Sequence, residues 1–423
     1  MEKNKLKILA CPANEGGCAY YRVILPCNKL QELHSDEVEV RMDMNPLGWD
    51  KEAMQAKGDG KPILLKDWTP ENLEWADVVF HQNIHNFGGN YTLELMHRSA
   101  LAGKLTHYDN DDLLTDLYSG HRLYGAYKDN NLAELTKRIY GIVDIVSVTQ
   151  RKFAERIAEY VGRALVIIKN AIDFDLPAWN EPKLRTPRKK LTRVGWVGGI
   201  HHEEDVKEFP GVAMAVNAKA GPENVHWGWY GRPPMPLNEE TGKPEPDWQQ
   251  DVWDNYQKTL SGGIRHRNFQ VYGALPAEHY GKMYTNIDIA IAPLQMNNFN
   301  DSKSEIKVAE CGRYGVPLIA SNVGCYDETI FNGETGYLID SDNPKKDWVK
   351  YLTRCIKDPK HTREMGQNLK KIVDKHFDIN KNVYGRIELY NEILGLKKEG
   401  LKHQDADPRI DDGNNGKYSG NAK

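Results

Sequence analysis

The 423-residue chain carries 56 Lys and Arg against 60 Asp and Glu, a formal net charge of −4; its length allows two or three domains with a large core, and its charge excludes overall attraction to nucleic acid while leaving local basic patches open. No apolar run reaches the roughly 18 residues that span a bilayer, and Met1-Glu2-Lys3-Asn4-Lys5 leads into a short strand with no signal-peptide core. The six cysteines show neither a C-x-x-C pair nor a metal-site rhythm, so a reduced, cytoplasmic protein is expected.

Strand-like and helix-like segments alternate along the chain, which points to α/β layers with parallel sheets. Lys7-Ile8-Leu9-Ala10 is the first predicted strand, and residues 21–33 read as its helix. Between them lies Gly16-Gly17, a turn that lets backbone approach a ligand. Arg22 follows as a candidate phosphate partner. Residues 76–80 form a second strand, with His81-Gln82 at its carboxyl end and a helix near residues 92–102. A third strand, 104–108, runs into Asp109-Asn110-Asp111-Asp112. That run reads either as a D-x-D metal site or as an Asx turn capping the next helix, with Asp109 and Asp112 its candidate functional side chains. Strands at 144–149 and 164–168 complete the set, the last ending in Lys169-Asn170-Ala171-Ile172-Asp173.

A basic, proline-containing linker over 179–190 marks the best domain boundary, near residue 185. Its Lys183, Arg185, Arg188, Lys189 and Lys190, with Arg265-His266-Arg267 and Lys397-Lys398, offer a grip for a polyanion such as DNA or act as solvated charge. A new unit opens at residues 193–199, a strand into the glycine turn Gly198-Gly199. Further strands fall at 225–231, 269–273 and 287–293, and Gly273 with the loop near Leu275 suits a base pocket.

The most informative stretch comes next, Ser302-Lys303-Ser304-Glu305-Ile306-Lys307-Val308-Ala309-Glu310. It reads as a loop and a helix stopped by Gly315, with Pro317 and a buried strand after it. A helix start at the carboxyl end of a parallel strand presents unpaired N–H groups and partial positive charge, which binds phosphate. Lys303, Lys307 and the amides of Lys303, Ser304 and Glu305 are the expected ligands, and Glu310 is placed to accept from a ribose. The last long helix is expected near residues 380–394, and residues beyond about 403 read as disordered.

Gly315-Val316-Pro317-Leu318-Ile319-Ala320-Ser321 matches G-x-P-[VL]-[IV]-[AG]-[ST], with Glu310 at the place of the second Glu of an E-x7-E helix motif. On these residues, and on the similarity of 269–293 and of the 169–173 turn to other family patterns, the chain resembles retaining glycosyltransferase family four, of a divergent type like those of bacteriophages. Ser302 stands where the family has its first Glu, which normally meets the donor sugar. The resemblance implies the GT-B fold, two Rossmann-like domains facing across a cleft. It implies an acceptor-side domain over 1–180, a nucleotide-sugar domain over 191–380, a helix over 381–400 crossing back to the first, and a tail over 401–423. It implies transfer of a hexose from a UDP-sugar, UDP-glucose above all, with retention and without a metal or a tightly bound cofactor.

The donor-binding set so implied is Gly16, Gly17, Arg22, Gly198, Gly199, Gly273, Ser302, Lys303, Ser304, Glu305, Lys307 and Glu310. The catalytic set is His81, Asp109, Asp112 and Lys307. By analogy with phage enzymes the acceptor is a hydroxymethylated pyrimidine in DNA. The alternatives are a cell-surface glycan or small-molecule acceptor, or an inactive nucleotide-binding homologue.

Overall fold

The computed structural model describes residues 4–58, 61–184, 191–238, 241–245, 248–263, 268–340 and 342–398. They build two six-stranded sheets in which every strand pairing is parallel. The first holds β1 (Leu6–Cys11), β2 (Val38–Met42), β3 (Val78–Gln82), β4 (Leu105–Asp109), β5 (Ile145–Val148) and β6 (Ala164–Ile167), in the order β2-β1-β3-β4-β5-β6. The second holds β7 (Thr192–Val197), β8 (Val225–Arg232), β9 (Phe269–Gly273), β10 (Ile289–Ala292), β11 (Leu318–Ser321) and β12 (Gly336–Ile339), in the order β12-β11-β10-β7-β8-β9. Strands covered by helices on both faces have no solvent side and read as unbroken apolar runs. That is why β3, β7 and β10, buried at every position, were legible beforehand.

β2 and β12 were not anticipated. Both are sheet edges, and β2 is partly exposed along Glu39–Met42, so its apolar signal is diluted by Glu39 and Arg41.

Strand order reverses at β1, which lies between β2 and β3, and at β7, which lies between β8 and β10. Loops leaving neighbouring strands there depart toward opposite faces and leave a crevice at the carboxyl edge, the usual ligand position of such sheets. The loops in question contain Gly16-Gly17 after β1, Gly198-Gly199 after β7, and the Ser302–Glu305 stretch after β10. Register brings further side chains to the same edge of the first sheet: Cys11 stands opposite His81, Gln82 opposite Asp109, and Asp109 opposite Ser147.

The first helix begins earlier than expected, at Gly17, and contains a π turn over Tyr20–Ile24 before continuing as Leu25–Leu33. The wider turn directs Tyr21, Arg22 and Val23 inward together. The Ile306–Arg313 helix stops at the expected place, with Gly315 at a φ of +62° that disfavours any side chain. Its Gly312 lets it pack against the Pro359–His376 helix, since a Cβ there would lie 2.6 Å from Val373.

The C-terminal helix, Gly385–Lys398, returns to the first sheet. The Tyr390 hydroxyl meets His107 Nδ1 at 2.8 Å, and Lys397 donates to the Lys104 carbonyl and to Asp144. One apolar cluster runs without interruption from Ile8 and Phe80 through Ala292, Val308 and Leu318 to Ile387 and Tyr390, so the two sheets and the returning helix share a core beneath the crevice. No helix among the described residues is long and apolar enough to cross a membrane.

Candidate active site

Three of the expected site residues point into the protein. Arg22 is 1% exposed, and its Nε and Nη2 donate to the two carboxylate oxygens of Asp109 at 2.8 and 2.6 Å. Its Nη1 donates to the Ile168 carbonyl and to Asn170 Oδ1, and Ser147 donates to Asp109 as well. Burial works to raise the Asp109 carboxyl, but the Arg22 guanidinium and the Ser147 hydroxyl outweigh it and hold the group below its usual range. The expectation of a phosphate-binding Arg22 and a sugar-facing Asp109 is therefore corrected: the two charges satisfy each other in the core. His81 is corrected likewise. It is fully buried, its Nδ1 lies 2.7 Å from the Cys11 carbonyl, and burial together with neighbouring His85 lowers its pKa to about 3. It is a neutral structural imidazole.

The donor stretch divides into closed and open members. Ser302 is fully buried with its hydroxyl on the Asn298 carbonyl. Glu305 is 1% exposed, between Lys169 Nζ at 3.2 Å and Cys325 Sγ at 2.9 Å. Glu310, expected to face a ribose, is also 1% exposed and accepts from Tyr21, Tyr284 and Lys307 at 3.3, 2.8 and 2.9 Å. These three carboxylate and hydroxyl side chains hold the loop in shape and are not open to a ligand in this conformation. The Lys303 amide, also expected as a ligand, donates to the Asn300 carbonyl.

Lys303, Ser304, Ile306 and Lys307 are only partly buried. The amides of Ser304, Glu305, Ile306 and Lys307 donate to no backbone carbonyl, as the first turn of a helix requires. Ser304 Oγ accepts from Asn170 of the first sheet's side at 2.9 Å. Across the gap stands the amino end of the helix that starts at Gly17, where a Cβ would lie 3.8 Å from the Tyr280 hydroxyl. The two helices, one from each half, touch where the Tyr21 hydroxyl donates to Glu310, one turn beyond each start.

Lys303 is the charged centre of the opening. Its ammonium lies 3.4 Å from Asp112 and 4.5 Å above the Phe299 ring. Burial works against its charge, while Asp112, Asp205 and Asp111 more than offset this and raise its pKa. Cys18, Asp111 and Asp112 bring their ligand atoms within 4.8 Å of one another. Lys303 supplies positive charge beside them.

The segment from Asp112 to Arg122 lies along the second half like a strap. Asp116 accepts from Asn298 at 2.7 Å, the His121 ring meets Phe299 and stacks on His201 with 5.8 Å between centroids, and Arg122 pairs with Glu203 at 3.3 Å and covers Trp248. Burial, then His201 and Lys303, lowers His121 to about 4. His121, His201, His202 and Asp205 escaped the sequence reading. His201-His202 come one residue after the Gly198-Gly199 turn, which was a usable signal; His121 carried none, because its place depends on the strap.

Of the glycines, Gly199 has open space where a side chain would be, Gly16 and Gly273 are exposed and Gly17 is partly buried, whereas Gly198 is packed on Trp196. Of the basic run proposed for DNA, Lys183 pairs with Asp288 at 3.7 Å beside Arg193. Arg185, Arg188, Lys189 and Lys190 lie outside the described residues, as do Arg265, His266, Arg267 and the tail after 398.

Residues 259–372, which contain the donor loop and the helix behind it, match the sequence profile of the family described as Glycosyl transferases group 1. The second half carries a glycosyltransferase domain. A trehalose synthase from Pyrococcus horikoshii is 33% identical over 90 residues, a span of 21% of each protein. Among solved structures, the fold is similar to sucrose-phosphate synthase from Thermosynechococcus elongatus, with 15% identity, a TM-score of 0.63, and coverage of 93% of this chain and 100% of that one. It is similar also to Anabaena HepE in complex with UDP and glucose, at 14% identity and a TM-score of 0.60, over 92% and 99% of the two chains. A glycosyltransferase from Rickettsia africae follows at 13% and 0.58, over 93% and 99%. The architecture is GT-B, as expected from the sequence.

Proposed function

We propose that this chain is a retaining glycosyltransferase that takes a hexose from a UDP-sugar, UDP-glucose first, and passes it to a hydroxyl acceptor without a metal. The observation that carries the reading is the partly buried Lys303, 20% exposed, beside four amides, Ser304 to Lys307, that donate to no backbone carbonyl, at the switch-point crevice. The group 1 match over this segment and the UDP and glucose of the HepE complex support a nucleotide-sugar donor.

In this reading the donor diphosphate displaces Asp112 from Lys303. The ammonium and the helix amides then face the oxygens on which charge grows as the sugar–phosphate bond breaks, where fixed dipoles act most strongly. Asp112, released, turns to a hydroxyl of the sugar or acceptor. Lys307 is held by Glu310 at the rim of the same opening. Retention follows if the acceptor attacks from the face the diphosphate leaves, the diphosphate oxygen taking the acceptor's proton. The strap from the first half excludes water from the crevice.

The test is turnover of UDP-glucose against other nucleotide sugars, read as UDP release, with the anomeric configuration of the product read by NMR. Hydroxymethylated duplex DNA is assayed beside small glycan acceptors. Binding of UDP by wild type, weakened about tenfold or more in Lys303→Ala, is the expected result. A wild-type protein that neither binds UDP nor consumes any nucleotide sugar ends the reading.

A further inference from the structure

His202 and Asp205 form a dyad that neither the sequence reading nor the donor loop accounts for. Asp205 is 1% exposed and accepts three hydrogen bonds: from His202 Nδ1 at 2.8 Å, the Gln295 amide at 3.0 Å and Asn300 Nδ2 at 2.7 Å. Burial works to raise this carboxyl, but the His202 imidazole and more distant Lys303 hold it below its usual range. An ionised carboxylate can only accept, so Nδ1 of His202 carries a proton and Nε2 is the nitrogen left over. No group among the described residues bonds Nε2, and the side chain is 22% exposed.

The same carboxylate holds the loop after β10 through Gln295 and Asn300, just before Lys303. One buried acid therefore sets both the imidazole and the approach to the donor loop. The Trp196 ring stands edge-on to the imidazole at 6.0 Å between centroids, fixing its plane. His202 sits three residues beyond the open Gly199, beside the His201 that stacks on the strap.

We infer that His202, oriented by Asp205, is a diphosphate ligand: its protonated Nε2–H donates to the leaving phosphate of the nucleotide sugar. The inference rests on the donor reading above. In the transfer, the C1–O bond to the β-phosphate breaks with its electron pair going to the phosphate oxygen. The acceptor oxygen bonds C1, and the acceptor proton passes to the diphosphate. His202 keeps its own proton and contributes a charge-assisted hydrogen bond, so no further reactant is needed. Binding is favoured by the imidazolium and weakens as it deprotonates. The charged and titratable groups around it are His201, Glu203, Glu204 and Asp205 from its own loop, Tyr256, whose hydroxyl donates to the Ile200 carbonyl, and the Lys303, Asp112, Tyr118, His121, Arg122 and Glu208 side chains grouped around Asp205 and His201.

The experiment is calorimetric titration with UDP from pH 5.5 to 8.5 on wild type, His202→Gln and His202→Asn, with thermal denaturation of each to confirm folding. UDP itself titrates in this range, so the variants provide the reference slope. The wild type is expected to lose about tenfold more affinity across the range than either variant, the size of one charge-assisted hydrogen bond. The C2 proton of His202 should also shift its NMR titration upward when UDP is bound. Superimposable pH dependences in wild type and variants, with UDP still bound, overturn the inference alone. Absence of UDP binding to wild type overturns both this and the donor reading.

Discussion

The Arg22–Asp109 pair yields the sharpest prediction, because it separates a structural from a catalytic role for a residue that looks functional in sequence. Both side chains are essentially inaccessible, 1% and 0% exposed, so their attraction is not screened by solvent. Asp109→Ala leaves the guanidinium buried with only the Ile168 carbonyl and Asn170 to meet it. Breaking one side of a buried pair costs about 3–5 kcal/mol. For a domain of this size that lowers the Tm by on the order of 10 °C. Replacing both groups by apolar side chains, as in Arg22→Met with Asp109→Leu, removes the stranded charge and should recover most of the loss. Because the folded carboxyl titrates below its unfolded value, its contribution is complete above the unfolded pKa and disappears as pH falls through the lower, folded one. The assay is thermal and urea denaturation of the two single variants and the double, followed by circular dichroism. An Asp109→Ala protein within about 1 kcal/mol of wild type that is nevertheless inactive refutes the reasoning and returns Asp109 to the catalytic set.

Four further outcomes are expected. Lys303→Ala should weaken UDP binding by about tenfold or more, with Lys303→Arg retaining part of it, as a charge-assisted contact to phosphate demands; equal affinity in all three proteins would count against the site. Glu310→Gln should cost about 1–3 kcal/mol in denaturation, since Lys307, Tyr21 and Tyr284 lose an ionised acceptor. Asn170→Ala and Ser304→Ala should be non-additive in donor KM, because the one bond between them joins the Arg22 hub to the donor loop; strict additivity would show that the contact is idle. His81 and His107 are buried and neutral with pKa values near 3, so between there and the unfolded value of about 6.5 the unfolded chain binds protons that the folded one does not. Stability should fall by roughly 1.4 kcal/mol per pH unit per histidine on acidification below pH 6, and a Tm flat from pH 7 to 4.5 would contradict this.

Local physics alone determined a good deal of this protein. Apolar runs such as Val78-Val79-Phe80 and Ile289-Ala290-Ile291 can only be strands buried on both faces. Gly315 and Pro317 can only end a helix and start a strand, and the position of the donor helix follows from them. The alternation of such units implies parallel sheets, whose connections leave ligands at the carboxyl edge. The partners of each charge were decided elsewhere. Arg22 and Asp109 are 87 residues apart, Tyr21 and Glu310 are 289 apart, and Asp112 meets Lys303 across 191 residues. Whether an arginine after a glycine turn faces phosphate or a buried aspartate depends on which strand end the register sets beside it, and on the π turn that rotates it inward. His121 likewise enters the crevice only because the strap around it docks on Phe299 and His201. Periodicity is a property of a few consecutive residues, whereas the environment of a charge is assembled from distant ones, and no local pattern encodes that assembly.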